Sequence, residues 1–580
     1  MDVINQPNNE ILFLMGKNPF FRNQKYRLNK YCFIHDYDNV KLILNEMTRS
    51  LVSITNEEFE KIYDLTNVYK DEKLEYIEFL IENYFLVLED YDEASVIDKI
   101  REFYRPKIDD NYLKEAYDFI IYPTTTCNAR CFYCYEKPMS NKKPMSLETA
   151  EIVSKYIMKK APNKNNEIIL RWFGGEPLYN MKAMRHIIKR LKEEGFSYKS
   201  TIVSNGYLFS DKIVEEAVNE WHLQHAQITL DGTEEVYNKA KNYIYTNQDK
   251  VSPFKKVIDN IDKLTSNGIG VDIRMNTDMY NVEDLKNLVK LLDERFPEHK
   301  NLGVYCYPIF EDDDKPRTDE EKRELFNKLW ELEDVMKECN FIIHDRAVPN
   351  QIRATHCMVD NGNTINIHPD GKLGLCEHYI DEDFWGHIDE NSEEIRDDWN
   401  VVLEWRDYLT DDFCKNCKIY PTCIRTRKCH DLRKCDEFMQ EFRYKHEAHM
   451  MESVYKEHIN GNYNNGNLCY CVSQVCDQNT SNNQDYCYCV GQVCDTNTQN
   501  NCHCVTQNTN VNSDICNCVS QYCDKENWCY CISQKPTESE HKCEGGTCSC
   551  KKEEKEKEEE EVIEIKENKT ILSKLKDLFK

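Results

Sequence analysis

From about residue 115 the chain keeps a regular beat of apolar runs and amphipathic stretches. "YDFIIYP" precedes "SLETAEIVSKYIMKKA", and "EIILRWFGG" precedes "MKAMRHIIKRLKEEG". "STIVSNG" is followed by "SDKIVEEAVNEW", and "HAQITLDG" by "SPFKKVIDNIDKLTSNG". "GVDIRMNTD" leads to "NVEDLKNLVKLLDERF", and "NLGVYCYPIF" to "DEEKRELFNKLWELEDVMKEC". The first member of each pair has strand length and β-branched or aromatic content. The second repeats its apolar residues at helical spacing. Strands alternating with helices predict an α/β fold of parallel strands joined by right-handed crossovers. Six such units are too few for a closed eight-stranded barrel, so the pattern predicts an open, partial (β/α)6 barrel over 113–340. Its active site is expected at the carboxyl ends of the strands.

Other patterns flank this core. Residues 1–112 hold short alternating segments ("VKLILNE", "SLVSIT") and acidic amphipathic helices ("NEEFEKIYDL", "LEYIEFLIENYF"), which predict a small α+β domain. Over 341–459 the periodicity breaks up and cysteines appear. The polar run "NGNYNNGN" reads as a flexible linker. It opens a segment, 460–550, of cysteine-rich repeats: "CYCVSQVCD" at 469, "CYCVGQVCD" at 487, "CHCVTQNTN" at 502, "CNCVSQYCD" at 516 and "CYCISQKPT" at 529. Its Asn-, Asp-, Thr- and Gln-rich spacers cannot bury enough apolar surface to fold alone, so a largely disordered tail is expected. Residues 551–580 are a charge run closing in a short amphipathic segment, read as a solvated helix.

The formal charge of −28 argues against a nucleic-acid or anionic-membrane partner held by a basic field. The N-terminal "MDVINQPNNEILFLMGK" is not a signal peptide, and no stretch approaches the ~20 apolar residues that span a bilayer. The protein is therefore read as cytoplasmic. Its 29 cysteines are unusual there, because a reducing compartment favours metal ligation or catalysis over disulfides. Three lie at 127–134, seven between 357 and 435, and sixteen from 469 to 550. Only Cys32, Cys306 and Cys339 stand alone, and they read as small buried hydrophobes.

The first group leaves the first barrel strand in "YPTTTCNARCFYCYEKP", where Cys127, Cys131 and Cys134 are spaced C-x3-C-x2-C. Three thiolates on one loop can hold three corners of a cubane iron–sulfur cluster and leave one iron open. A zinc site is the rival reading. The spacing, together with the aromatic Tyr133 before the last cysteine, resembles the radical S-adenosylmethionine enzymes. Gly174, Gly175, Glu176 and Pro177 at the end of the second strand resemble that family's Gly-Gly-Glu-Pro motif, which faces the methionine amino group of the cofactor. Glycines permit close backbone approach, and Glu176 can accept a charge-assisted bond from an ammonium. Ser204 and Asn205 of "VSNG", and the "TLDG" loop, are similar to the family's cofactor-side loops. Where relatives often carry an arginine for the cofactor carboxylate, this chain has Lys241. The resemblance implies a 4Fe–4S cluster, S-adenosylmethionine, and a 5′-deoxyadenosyl radical that abstracts hydrogen from a substrate.

The second group reads C-x13-G-x4-C, a gap, C-x2-C-x5-C, then two more cysteines. It resembles the SPASM extension of radical enzymes that modify peptides. By that resemblance Cys414, Cys417, Cys423 and Cys435 hold one auxiliary 4Fe–4S cluster, and Cys357, Cys376 and Cys429 another. The five residues before Cys429 replace the usual three, and no extra cysteine precedes Cys357, so the latter cluster is expected to have an open iron or His356 as a substitute ligand. A pair of structural zinc knuckles is the alternative. Glu377 follows Cys376, where sulfatase-maturing relatives place a proposed general base. In such enzymes a domain placed like residues 1–112 can grip a leader peptide by strand addition.

These readings converge on a radical enzyme that modifies a ribosomally made, cysteine-rich peptide under anaerobic conditions, with a thioether as the expected product and ferredoxin or flavodoxin as the electron donor. Formylglycine formation is the alternative chemistry, and a metal-handling protein the alternative class. The tail is open to three readings: substrate of its own enzyme, metal store through C-x-C pairs, or solvated repeat.

Overall fold

The computed structural model describes residues 1–16, 18, 25–63, 75–136, 143–244, 251–309, 316–341, 357–378, 382–429 and 435–460, plus the backbone of four three-residue strands at 470–472, 488–490, 521–523 and 529–531. The remainder of the cysteine repeats, the 551–580 segment and His356 lie outside the described residues.

The N-terminal part is α+β. Strands β1 (Asp2–Asn5), β3 (Cys32–Tyr37), β4 (Val40–Asn45) and β5 (Ser50–Thr55) form a sheet in the order β1-β5-β4-β3, and β2 (Tyr26–Leu28) pairs with β6 (Leu86–Leu88). The helices Asn56–Tyr63 and Glu75–Glu82 bury their apolar stripe against Cys32, Ile43, Val52 and Ile54.

The six strand segments read from the sequence are all strands: β7 (Asp118–Thr124), β8 (Ile168–Gly174), β9 (Tyr198–Ser204), β10 (Leu223–Thr229), β11 (Gly270–Thr277) and β12 (Leu302–Pro308). They pair in parallel, each with its neighbour in sequence. Their connecting helices start where the sequence offers caps. Ser146 accepts from the Thr149 amide before Leu147–Lys160, Ser210 from Ile213 before Asp211–Asn219, and Thr318 closes a capping box with Glu321 before Asp319–Glu338. The crossover after β10 holds one helix more than the periodicity indicates, Glu234–Lys241, ended by Asn242 in the left-handed conformation.

Side chains alternate along each strand as the pleat requires. Val271, Ile273 and Met275 of β11 join Ile202, Ala226 and Ile228 in the core beneath the helices. The intervening residues line an inner face that is half-exposed and polar: Arg171 pairs with Asp118 at 2.7 Å, Tyr305 donates to Gln227 at 2.7 Å, and Arg274 to Asn276 at 2.9 Å. The sheet does not close. It continues beyond β7 into β13 (Thr364–Ile367), β14 (Lys372–Gly374), β15 (Gly386–Ile388) and β16 (Glu394–Arg396). β13 runs parallel to β7, with Thr364 opposite Asp118 and Ile367 opposite Ile121. The cysteine-bearing region, which carries no barrel rhythm of its own, is thus built onto the barrel edge.

The N-terminal region clasps a different cysteine loop, through the helix Glu93–Asn111 and residues next to the ends of β3 and β4. Arg101 is 2% exposed and donates to the carbonyls of Tyr420 (2.5 Å), Pro421 (3.5 Å) and Cys423 (3.1 Å). Tyr31 donates to the Lys415 carbonyl at 2.8 Å, and Thr422 to Glu46 at 2.8 Å. Glu46 is itself buried against Arg49, and burial holds its carboxyl above the ordinary range despite that cation. Such buried polar contacts stabilise only as a complete set, because one missing partner strands the others. Arg101→Ala is therefore expected to lower stability by roughly 3 kcal/mol, read as a fall in the urea midpoint, with a smaller fall for Arg101→Lys. Unfolding at the parent midpoint would show that this clasp carries no load.

Candidate functional site

The ends of β7, β8 and β9 meet at one buried carboxylate. After β8 the chain turns through Gly174, at φ +112, and Gly175. A Cβ at Gly174 would stand 2.4 Å from the Thr124 carbonyl oxygen, and one at Gly175 would stand 2.5 Å from that of Thr126. Only glycines allow this approach. It lets the Gly175 amide donate to Thr124 (3.2 Å) and the Glu176 amide to Thr126 (3.0 Å), the residue just before Cys127. Pro177 then starts a short turn, Pro177–Asn180, with Glu176 as its cap.

Glu176 is fully buried. Its carboxylate accepts from the Ser204 hydroxyl (2.9 and 3.1 Å), the Asn205 amide (2.9 Å) and the Leu178 amide (3.2 Å). Burial pushes its pKa up to about 7, against the pull of those donors and of Lys241. The sequence suggests this carboxylate for a bound ammonium; in the structure it is engaged by the chain's own donors.

Those donors also fix the cysteine loop. Asn205 donates through Nδ2 to the Asn128 side chain at 2.7 Å and reaches Cys127 Sγ at 3.8 Å, while the Ala129 amide points to the same sulfur at 3.4 Å. The Arg130 amide donates to the Lys241 carbonyl (2.8 Å), and Ile244 to that of Asn128 (3.0 Å). Burial raises the thiols of Cys127 and Cys134, to about 12 and about 11. Thiolates cannot form there without a compensating cation, which a cluster iron supplies. The donor chemistry and this desolvation fit an iron–sulfur group, although among the described residues no three His, Cys, Asp or Glu side chains already converge on a single ion position.

A second buried contact closes the far side of the loop. Lys241 and Asp231 are 3% and 0% exposed and lie 3.0 Å apart. Lys241 donates to the Tyr133 hydroxyl at 2.7 Å, and Tyr133 in turn donates to Asp231. Burial opposes the lysine's charge, but Asp231 and Tyr133 outweigh it and hold the ammonium well above its ordinary value. Lys241, which stands where relatives often carry an arginine for the cofactor carboxylate, pairs with Asp231. Asp231 was visible only as part of "TLDG", with nothing to signal its partner. Phe132 and Tyr280, both exposed, meet edge-to-face at 5.2 Å on the rim above.

The remaining cysteines lie in two places. The Tyr122 ring sits on the inner face with Ile120 and Phe173, and its hydroxyl donates to the Glu377 carbonyl at 3.3 Å. The Tyr135 ring stands 5.2 Å from that of His378. The Cys376–Glu377–His378 segment therefore adjoins both the inner face of the barrel and the first cysteine loop. Carboxylates are its charged company: the Cys357 amide donates to Asp360 at 3.0 Å, and burial together with Glu377 raises the Cys376 thiol. Cys414, Cys417, Cys423 and Cys435 instead line one small cavity. Of the solitary cysteines, Cys32 is buried as expected, while Cys306 and Cys339 are only half-buried.

Comparison with known proteins bears on the barrel. Residues 121–292 match the profile described as "Radical SAM superfamily". The chain is 30% identical over 117 residues to the uncharacterised protein MJ0907 of Methanocaldococcus jannaschii, covering 20% of this chain but only 38% of that relative. It is 27% identical over 290 residues to the GTP 3′,8-cyclase of Clostridium perfringens strain SM101, covering 47% of this chain and 83% of that one. The solved structure "Native anSMEcpe with bound AdoMet" is 13% identical, with a TM-score of 0.44 over 60% of this chain and 99% of that chain. Among the described residues no helix is long and apolar enough to cross a membrane. The cysteine loop and the Gly-Gly-Glu-Pro turn thus stand at the ends of adjacent barrel strands within residues 121–292, the part of this chain that matches the radical SAM superfamily.

Proposed function

We propose that this protein is a peptide maturase: a radical enzyme that modifies a ribosomally made, cysteine-rich peptide. The observation that carries the reading is the position of Cys376 and Glu377, whose segment meets the inner face of the barrel at Tyr122 and the first cysteine loop at Tyr135. A peptide entering past the exposed Phe132 and Tyr280 would lie between two cysteine sets.

In this reading Cys127, Cys131 and Cys134 hold the catalytic 4Fe–4S cluster, and Cys357, Cys376 and Cys429, and Cys414, Cys417, Cys423 and Cys435, hold two auxiliary clusters. When bound, the catalytic cluster and S-adenosylmethionine supply the chemistry of hydrogen-atom abstraction. The chain's own residues supply position. Gly174 and Gly175 open the backbone to the cofactor's methionine end, Ser204 and Asn205 present the adjacent loop, and Lys241 keeps Tyr133 and the loop in register. Glu377 stands where it can take a proton from a substrate thiol. Residues 1–112 grip a leader peptide by strand addition while also clasping the Cys414–Cys423 loop. A small reduced electron carrier, ferredoxin or flavodoxin, is the partner.

The cysteine repeats at 469–531 are the substrate we favour, because the run at 460–467 tethers them and raises their effective concentration. Thioether formation replaces one S–H and one C–H by an S–C bond, a two-electron oxidation in which the carbon's hydrogen atom would leave to the 5′-deoxyadenosyl group, the thiol proton to Glu377 and the remaining electron to an auxiliary cluster.

Two outcomes are expected. Replacing Cys127, Cys131 and Cys134 together by alanine abolishes 5′-deoxyadenosine formation from S-adenosylmethionine under dithionite; undiminished formation contradicts the ligand assignment. After turnover of the intact protein, each cross-link lowers the mass of the tail by that of two hydrogens and protects one cysteine from alkylation. An unchanged tail mass, from protein that makes 5′-deoxyadenosine, removes the tail as substrate. Stoichiometric zinc or copper binding by the tail would then favour a metal store.

A further inference from the structure

The cavity lined by Cys414, Cys417, Cys423 and Cys435 has two arginines in its wall, Arg425 and Arg443. Arg425 Nε donates to Cys423 Sγ at 2.9 Å, and Arg443 Nη1 reaches the same sulfur at 3.7 Å. The Tyr444 hydroxyl donates to Cys417 Sγ at 3.6 Å. Arg425 is 6% exposed, and its Nη1 is buried without a hydrogen-bond partner among the described residues. Among the described residues no carboxylate forms an ion pair with Arg425. A buried guanidinium left uncancelled by an acid is costly, unless the group it faces carries negative charge.

We infer that Arg425, backed by Arg443, holds the iron–sulfur centre of Cys414, Cys417, Cys423 and Cys435 at a higher reduction potential than the centre of Cys357, Cys376 and Cys429. The inference rests on the proposal that both sets bind clusters. Each cluster gains one electron on reduction, with no bond made or broken, so its negative charge rises by one. Charge-assisted N–H···S bonds and a desolvated positive charge favour the more negative form. At the other centre Asp360 beside Cys357 and Glu377 beside Cys376 disfavour it with no arginine on a ligand sulfur among the described residues, whereas here the one carboxylate at a ligand, Asp411 on the Cys414 amide at 3.0 Å, is opposed by two guanidiniums at Cys423. Arg425 touches a ligand atom rather than a substrate, and is a positioning residue for the redox centre. The two auxiliary centres are thereby polarised, and the arginine-walled one is the sink for an electron arriving from the barrel side.

The test is an EPR-monitored redox titration of the full-length chain carrying alanine at Cys127, Cys131 and Cys134, which removes the catalytic cluster's signal. Two auxiliary signals with separated midpoints are expected. Arg425→Gln should lower the upper midpoint, reducing the ratio of reduced to oxidised cluster at a fixed potential about tenfold, or about 59 mV for a one-electron couple. Arg425→Lys should recover most of that shift. Arg443→Gln, at the longer contact, should move it less and in the same direction. Arg427→Gln, whose side chain is half-exposed and pairs with Asp407, is the control and should not move it. Unaltered midpoints in Arg425→Gln and Arg443→Gln, with iron content equal to the parent's, would overturn the inference while leaving the clusters in place. If alanine at Cys414, Cys417, Cys423 and Cys435 removes neither iron nor an EPR signal, the cluster assignment fails and the inference with it.

Discussion

The buried carboxylate of Glu176 is the point on which the site turns. A carboxylate taken fully out of water must be met by donors, and here the donors are the ends of three different segments: the β9 hydroxyl of Ser204, the Asn205 amide beyond it, and the Leu178 amide of its own turn. The Glu176 amide holds the Thr126 carbonyl, and Cys127 follows. One side chain thus sets the distance between the cysteine loop and the adjacent loop. Its pKa is pushed up to about 7 because desolvation outweighs these three donors.

Charge then distinguishes three cysteine environments. The Cys127 loop has neutral donors at its sulfur and a self-cancelling Lys241–Asp231 pair behind it. The Cys357–Cys376 region has carboxylates. The Cys414–Cys435 cavity has guanidiniums at Cys423 and a carboxylate, Asp411, at the Cys414 amide. Burial raises the Cys127, Cys376 and Cys414 thiols in the same direction, so the different neighbours are what can make similar ligand sets behave differently. The N-terminal region belongs to this arrangement, since Arg101 on the helix Glu93–Asn111 and Glu46 just after β4 hold the loop that carries Cys423.

Much of this was legible before any coordinates. Period-2 and period-3.6 patterns mark every barrel strand, and the cysteine and glycine motifs fall at strand ends, because local rules govern both. What was not legible is what depends on pairing across distance. β13 joins the barrel edge through four residues with no barrel rhythm. Asp231, Arg101 and Arg425 are ordinary charged residues until the fold buries them beside Lys241, the Tyr420 carbonyl and Cys423. Glu176 was read for its motif, yet the bonds it makes come from residues 28 and 29 positions away. The helix Glu234–Lys241 was missed because a strand-to-helix count tolerates one helix per crossover.

The account's central claim is that three thiolates on a rigidly held loop leave one iron for S-adenosylmethionine, while the other cysteine sets do not serve that role. EPR of the dithionite-reduced protein, recorded with and without S-adenosylmethionine, tests it directly. The account predicts that the cofactor perturbs one component of the spectrum, that this component is the one lost when Cys127, Cys131 and Cys134 are replaced, and that the others are unmoved. A spectrum indifferent to S-adenosylmethionine, or a perturbation that survives loss of those three cysteines, would contradict it.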